Sequence, residues 1–145
     1  MKLKTFLEQN KYSSTTFKRI QTNHIQIKAE INGIKGVFII DTGASNSCID
    51  LENYHLFKIF PEESSEKASS ATDEISKTMI SKKNKVKIGK WIRKNVSIVL
   101  FDMSFINKTL EEHGAKSVNG IIGADLLKKG KGIIDYSGKK LFLKI

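Results

Sequence analysis

Apolar residues at Ile25, Ile27, Ala29 and Ile31 alternate with polar ones, and Asn32-Gly33 follows at once. Alternation with period two is the signature of a strand with one buried face, and an Asn-Gly pair turns the chain back on itself, so the segment reads as the first limb of a hairpin. The return limb, Lys35-Gly36-Val37-Phe38-Ile39-Ile40, is apolar on successive residues, as in a strand covered on both faces. It stops abruptly at Asp41-Thr42-Gly43. A polar loop therefore leaves the interior of the protein.

The rest of the chain continues in the same idiom. Val86 and Ile88 alternate with lysines, Gly89-Lys90 turns, and Val96, Ile98 and Leu100 alternate again before Phe101-Asp102. Residues 103–113 read as a helix ended by Gly114. Val118 to Ile122 is a second buried strand that breaks at Gly123 into a short helix, Ala124 to Lys129. The tail is a strand, a Ser137-Gly138 turn and a strand carrying Leu141, Leu143 and Ile145. Residues 49–60 mix aromatic and aliphatic groups without a clear period and end at Pro61; after it, EESSEKASSATDEIS reads as a loop or a weakly specified hairpin. Residues 1–22 read as an amphipathic helix with Leu3, Phe6 and Leu7 on one side, followed by a polar connection. The expectation is a mostly β, closed barrel or sandwich with short helices.

Composition bounds the function classes. At 145 residues the chain is one domain long, and 39% hydrophobic with 28% charged residues is the balance of a folded core. The single cysteine, Cys48, can form no internal disulfide. No run nears the ~18 apolar residues of a membrane-spanning helix. MKLKTFLEQNKY has no secretory apolar region, so the expected location is cytoplasmic and no membrane partner is expected. The net charge is +10, but the lysines are scattered, with Lys82, Lys83, Lys85 and Lys87 as the densest run. Such a surface reads as solvated, and nucleic acid is not an expected partner.

The chemistry concentrates at Asp41. A carboxylate delivered by a buried strand is costly unless it is hydrogen-bonded or shares its charge with another acid. Gly43 lets the backbone turn tightly beside it, and Thr42 and Ser45 bring hydroxyls. The triplet by itself also fits a strand-end turn in which Asp41 merely accepts backbone N–H groups.

Taken together, Phe38-Ile39-Ile40-Asp41-Thr42-Gly43-Ala44-Ser45 and, 80 residues after Asp41, Ile121-Ile122-Gly123-Ala124-Asp125-Leu126-Leu127 resemble the retropepsin-like aspartic proteases. These are the single-lobe group of retroviral proteases and their small bacterial relatives. The likeness covers residues 24–145 in outline, with residues 1–22 as an extension to a protease domain over 23–145. It implies a single-lobe acid-protease barrel and hydrolysis of peptide bonds by two carboxylates sharing a proton. One chain holds one Asp-Thr-Gly, so it also implies a homodimer in which Asp41 meets Asp41 of a second copy, acting on a polypeptide without metal or organic cofactor. Thr42 would brace the pair, Gly43 would border the substrate backbone, and Ala44 and Ser45 would line the substrate path, with Ser45 bonded to Asp41. Ser69, Ser70 and Ala71 would form the tip of a flap over the substrate. Three departures stand out: Ala124 occupies the place of an Arg that steadies retroviral dimers, the flap region has no Gly, and the tail strand is engaged in its own hairpin. The same fold without the chemistry would be a module that binds extended peptides.

Other candidates read as structural. Asp102 and Asp125 precede helical patterns, where a carboxylate caps free N–H groups. Asp135 belongs to the Ser137-Gly138 turn. His24, His55 and His113 lack metal-ligand spacing, Cys48 reads as a buried thiol, and Trp91 as a packing residue.

Overall fold

A computed structural model describes residues 1–63 and 78–145. In chain order it contains α1 (Leu3–Gln9), β1 (Tyr12–Thr16), β2 (Lys18–Arg19), β3 (Ile25–Ile31), β4 (Ile34–Ile40), β5 (Cys48–Asp50), a single 3-10 turn (Leu51–Asn53), β6 (Glu62–Glu63), β7 (Met79–Ile88), β8 (Trp91–Phe101), α2 (Ser104–Glu112), β9 (Gly120–Ile122), α3 (Ala124–Lys129), β10 (Ile133–Asp135) and β11 (Lys140–Lys144). The barrel follows the order β3-β4-β9-β5-β8-β7 and closes where Glu30 and Ile31 of β3 pair with Lys87 and Val86 of β7.

The hairpin β3–β4 forms for the local reasons its sequence declares. Ile25, Ile27, Ala29 and Ile31 are buried and their neighbours are not, while Asn32 and Gly33 hold φ of 52° and 84° in the tight turn. The unbroken apolar run of β4 has a different cause. Phe38 and Ile40 face the main barrel core, whereas Ile39 faces a second cluster with Cys48, Met103, Leu110 and Val118, so both sides of the strand are covered.

β9 lies in the middle of the sheet, parallel to β4 (Phe38 opposite Gly120, Ile40 opposite Ile122) and antiparallel to β5. A Cβ on Gly120 would sit 2.2 Å from the Cys48 carbonyl oxygen and 3.1 Å from the Ile49 Cα. Those are backbone atoms that cannot swing aside. Gly120→Ala is therefore expected to cost about 2–3 kcal/mol through overpacking, read as a lower urea midpoint with an unchanged slope.

The first 22 residues depart from the reading of a helix and a polar connection. The helix is present as α1 with only Leu7 buried, but Tyr12–Thr16 is a strand, paired antiparallel with β11 from Tyr12 opposite Lys144 to Thr16 opposite Lys140. Its sequence, YSSTT, shows no hydrophobic alternation to announce a strand. The C-terminal strand supplies its hydrogen-bond partners. With β10 on the far edge of β11, the two ends of the chain make a three-stranded sheet.

The loop after Pro61 begins with β6, whose Glu62 and Glu63 pair with Ile80 and Met79 of β7. The expected flap tip at Ser69, Ser70 and Ala71 lies outside the described residues.

Candidate active site

Asp41 emerges from β4 at the edge of the barrel, exposed to solvent together with Thr42 and Gly43. Its N–H donates to the Ile122 carbonyl at 2.9 Å, which continues the β4–β9 pairing one residue beyond the strand. Its carboxylate Oδ1 accepts the N–H of Gly43 at 2.9 Å, and its carbonyl accepts the N–H of Ala44 at 3.2 Å. The carboxylate is thereby turned over its own loop. Among the described residues no hydrogen bond joins Ser45 to Asp41, and the Ser45 side chain is exposed.

The loop is tied down at its exit by the second motif. The Ala124 N–H donates to the Ala44 carbonyl at 2.7 Å. Ser47 donates both its N–H (2.9 Å) and its hydroxyl (2.7 Å) to Oδ1 of Asp125, while its Oγ accepts the N–H of Gly123 at 2.8 Å. Asp125 is therefore not the helix cap that its position beside a helix start indicated: Gly123 occupies the N-cap of α3 with no side-chain cap, and the Asp125 carboxylate points across to the loop instead. Ser47 is missing from the sequence-based candidates altogether. A second such residue is Asp50, a buried carboxylate that accepts the N–H groups of Glu52 (3.4 Å) and Met103 (3.3 Å) and so joins β5 to the start of α2. Nothing local to either residue distinguishes it.

Two clefts flank the exposed loop. One, of about 220 Å³, is lined by Asp41 and Thr42 with His24, Ile40, Ile134 and Tyr136. The other, of about 250 Å³, is lined by Thr42 with Ala124, Leu127, Lys128 and Lys131. The first mixes polar and apolar groups about evenly, and the second is mainly apolar. Among the described residues no three His, Cys, Asp or Glu side chains converge to hold a metal.

Asp102, Asp135 and Cys48 have structural surroundings. Asp102 lies one residue before the N-cap Met103 of α2, and accepts the hydroxyl of Ser104 and its N–H (2.9 Å); these bonds hold its carboxyl below the ordinary range. Asp135 accepts the Gly138 N–H at 3.1 Å in the last turn. Cys48 is buried in β5, and burial pushes its thiol up from 9.0 to about 12. Below pH 9 both folded and unfolded chains keep that proton. Between pH 9 and about 12 the unfolded chain alone releases it, so the contribution to stability is lost as pH rises through this window. Cys48→Ala should flatten that part of the decline, read by comparing thermal unfolding of the two proteins on either side of pH 9.

The chain matches a family model described as aspartyl protease over residues 27–126. Its fold is similar to a retropepsin-like aspartic protease from Rickettsia conorii, at 20% identity and a TM-score of 0.61, with 91% of this chain and 90% of that one covered. It is also similar to the EIAV protease in complex with the inhibitor HBY-793, at 17% identity and TM-score 0.54, covering 77% of this chain and 88% of the other. A third likeness is to the retroviral protease-like domain of Ddi1 from Leishmania major, at 13% identity and TM-score 0.54, covering 90% and 89%. No curated protein sequence matches the chain significantly.

Proposed function

The chain belongs to the aspartyl protease family, and from this we propose that it is a retropepsin-type aspartic endopeptidase whose active site is completed by a second copy. The observation that carries the reading is the position of Asp41: a solvent-facing carboxylate at the end of a buried strand, on a loop closed by the second motif. Aspartic catalysis uses two carboxylates so close that they share one proton. One chain contributes one. In a two-fold dimer the Asp41 loops face each other on the axis.

In the proposed reaction the ionised carboxylate takes a proton from a water held between the two aspartates. The water oxygen attacks the scissile carbonyl carbon, and the protonated carboxyl donates its hydrogen bond to the carbonyl oxygen as negative charge develops there. The tetrahedral intermediate collapses, the C–N bond breaks, and the nitrogen leaves with a proton from the dyad. Thr42 braces the two loops against each other, Gly43 borders the substrate backbone, and Ala44 and Ser45 line its path. Ser69, Ser70 and Ala71 serve as the flap tip. No metal or organic cofactor takes part in the proposed chemistry.

The protease domain is proposed to span residues 23–145, with residues 1–22 as its extension. The proposed compartment is the cytoplasm, where Cys48 stays a free thiol; among the described residues no helix is long and apolar enough to cross a membrane.

The test is cleavage of a diverse peptide pool at high protein concentration from about pH 4 to about 7.5, with sedimentation in the same buffers. A dimer that cuts peptides, with specific activity lost on dilution, supports the proposal. A folded chain that stays monomeric and cuts nothing overturns it in favour of a module that binds extended peptides beside Asp41.

A further inference from the structure

We propose that Asp125 is a positioning residue for the reaction, holding the Asp41 loop in its working geometry by gripping Ser47. The inference rests on the protease reading and adds to it the side chains that set where the loop lies. The loop is anchored at its entrance by backbone, from the Asp41 N–H to the Ile122 carbonyl. At its exit the Val99 N–H donates to the Ser47 carbonyl at 3.1 Å, and side chains supply further hydrogen bonds. One carboxylate oxygen of Asp125 receives two hydrogen bonds from the same residue, Ser47, at 2.9 and 2.7 Å, and the Ser47 hydroxyl receives a third from the Gly123 N–H at 2.8 Å.

The donors run in one direction, from the Gly123 N–H to the Ser47 hydroxyl to the Asp125 carboxylate, so each bond polarises the next. An ionised acceptor makes the last link about twice as strong as a neutral one. Ser47 is 3% exposed. Without Asp125, the N–H and hydroxyl of this buried residue lose their acceptor, and the loop relieves that cost by moving. Asp41 lies six residues upstream on the same loop, whose middle is hydrogen-bonded to α3 at the Ala44 carbonyl. A shift of about 1 Å in a reacting carboxylate costs on the order of 100-fold in rate.

Cys48, the residue after Ser47, provides a reporter that needs no catalysis. It is 5% exposed, so modification by N-ethylmaleimide requires the segment to open. The experiment compares wild type, Asp125→Ala, Asp125→Asn, Ser47→Ala and the Asp125→Ala/Ser47→Ala double variant. It measures cleavage of the best-cut peptide of the pool and the Cys48 labelling rate, with circular dichroism to establish folding.

The expected result is an approximately 100-fold loss of kcat in Asp125→Ala and in Ser47→Ala, with a smaller change in KM because the rate is more sensitive to the placement of the reacting carboxylate than binding is. The double variant should lose no more than either single one, since both remove the same grip. Asp125→Asn should stay within about five-fold of wild type, because the amide oxygen accepts the same two bonds. Cys48 labelling should accelerate at least about ten-fold in both alanine variants.

The proposal is overturned if folded alanine variants keep wild-type kcat, if their losses multiply in the double variant, or if Cys48 stays as slow as in wild type. Should Asp125→Ala not fold, Ser47→Ala carries the same comparisons alone. If wild type cuts no peptide, the labelling still decides the grip: acceleration upholds it while the protease reading falls, and no acceleration overturns it independently.

Discussion

Asp41→Asn is expected to lower peptide cleavage by roughly 10⁴-fold while the chain stays folded. The amide is nearly the same size and shape as the carboxylate, and its oxygen can keep accepting the Gly43 N–H that now bonds to Oδ1 at 2.9 Å. The side chain is exposed, so little packing is disturbed and the stability change should fall within about 0.5 kcal/mol. What disappears is the proton chemistry. A carboxamide neither removes a proton from water nor donates a shared one, and in a homodimer both halves of the proposed pair are lost together. Mixing wild type with the variant provides an internal control, because a site with one Asp41 and one Asn lacks the shared proton; activity should fall as the variant fraction rises. Cleavage by the variant at the wild-type rate would sink the assignment, as would loss of activity through unfolding detected by circular dichroism.

The largest effect on stability is expected at Trp91. Its side chain is fully buried at the start of β8, directly after the Gly89-Lys90 turn, and belongs to the same core cluster as Leu141 and Leu143 of β11. It also lies against Gly130 at the end of α3, whose added Cβ would meet the indole at 3.2 Å. Trp91 thus joins the barrel to the terminal sheet. Trp91→Ala removes the ring and leaves a cavity that three separate elements would have to close, so a loss of about 3–5 kcal/mol is expected. For a chain of this length that corresponds to a fall in Tm of roughly 10 °C or more. The Arg93 guanidinium, 4.8 Å from the ring centroid, loses its cation–π contact in the same step. Trp91→Phe should be milder, about 1–2 kcal/mol, because it keeps an aromatic group and removes an indole N–H that has no hydrogen-bond partner among the described residues. Differential scanning calorimetry of the three proteins checks the order; an alanine variant as stable as the phenylalanine one would show that Trp91 does not join the two units.

Much of the scaffold was legible because its causes are local. The hairpin β3–β4 needs only period-two alternation and Asn32-Gly33, and the β7–β8 hairpin needs only Val86, Ile88 and Gly89-Lys90. Gly114 ends α2 where a left-handed residue is required, and α3 begins after Gly123. The Asp41 loop was legible for the same reason: an apolar strand cut short by Asp-Thr-Gly shows in any window that contains it. β1 was not legible. Its five residues carry no hydrophobic period, and the strand exists because β11, more than 120 residues away, offers it a ladder.

Asp125 shows the limit most sharply. A carboxylate at a helix start meets the local requirements of a cap, and only the fold shows that it faces Ser47, 78 residues earlier. The segment after Pro61, low in hydrophobic pattern and rich in small polar residues, offered no period to read in the first place. From sequence alone came the strand-rich class, the two motifs and the carboxylate of the proposed site, since each depends on neighbours within a few residues. Closure of the barrel, the joining of the two chain ends in one sheet and the side chains that hold the Asp41 loop were decided by tertiary structure, because hydrogen bonds between distant segments have no local pattern until the core brings those segments together.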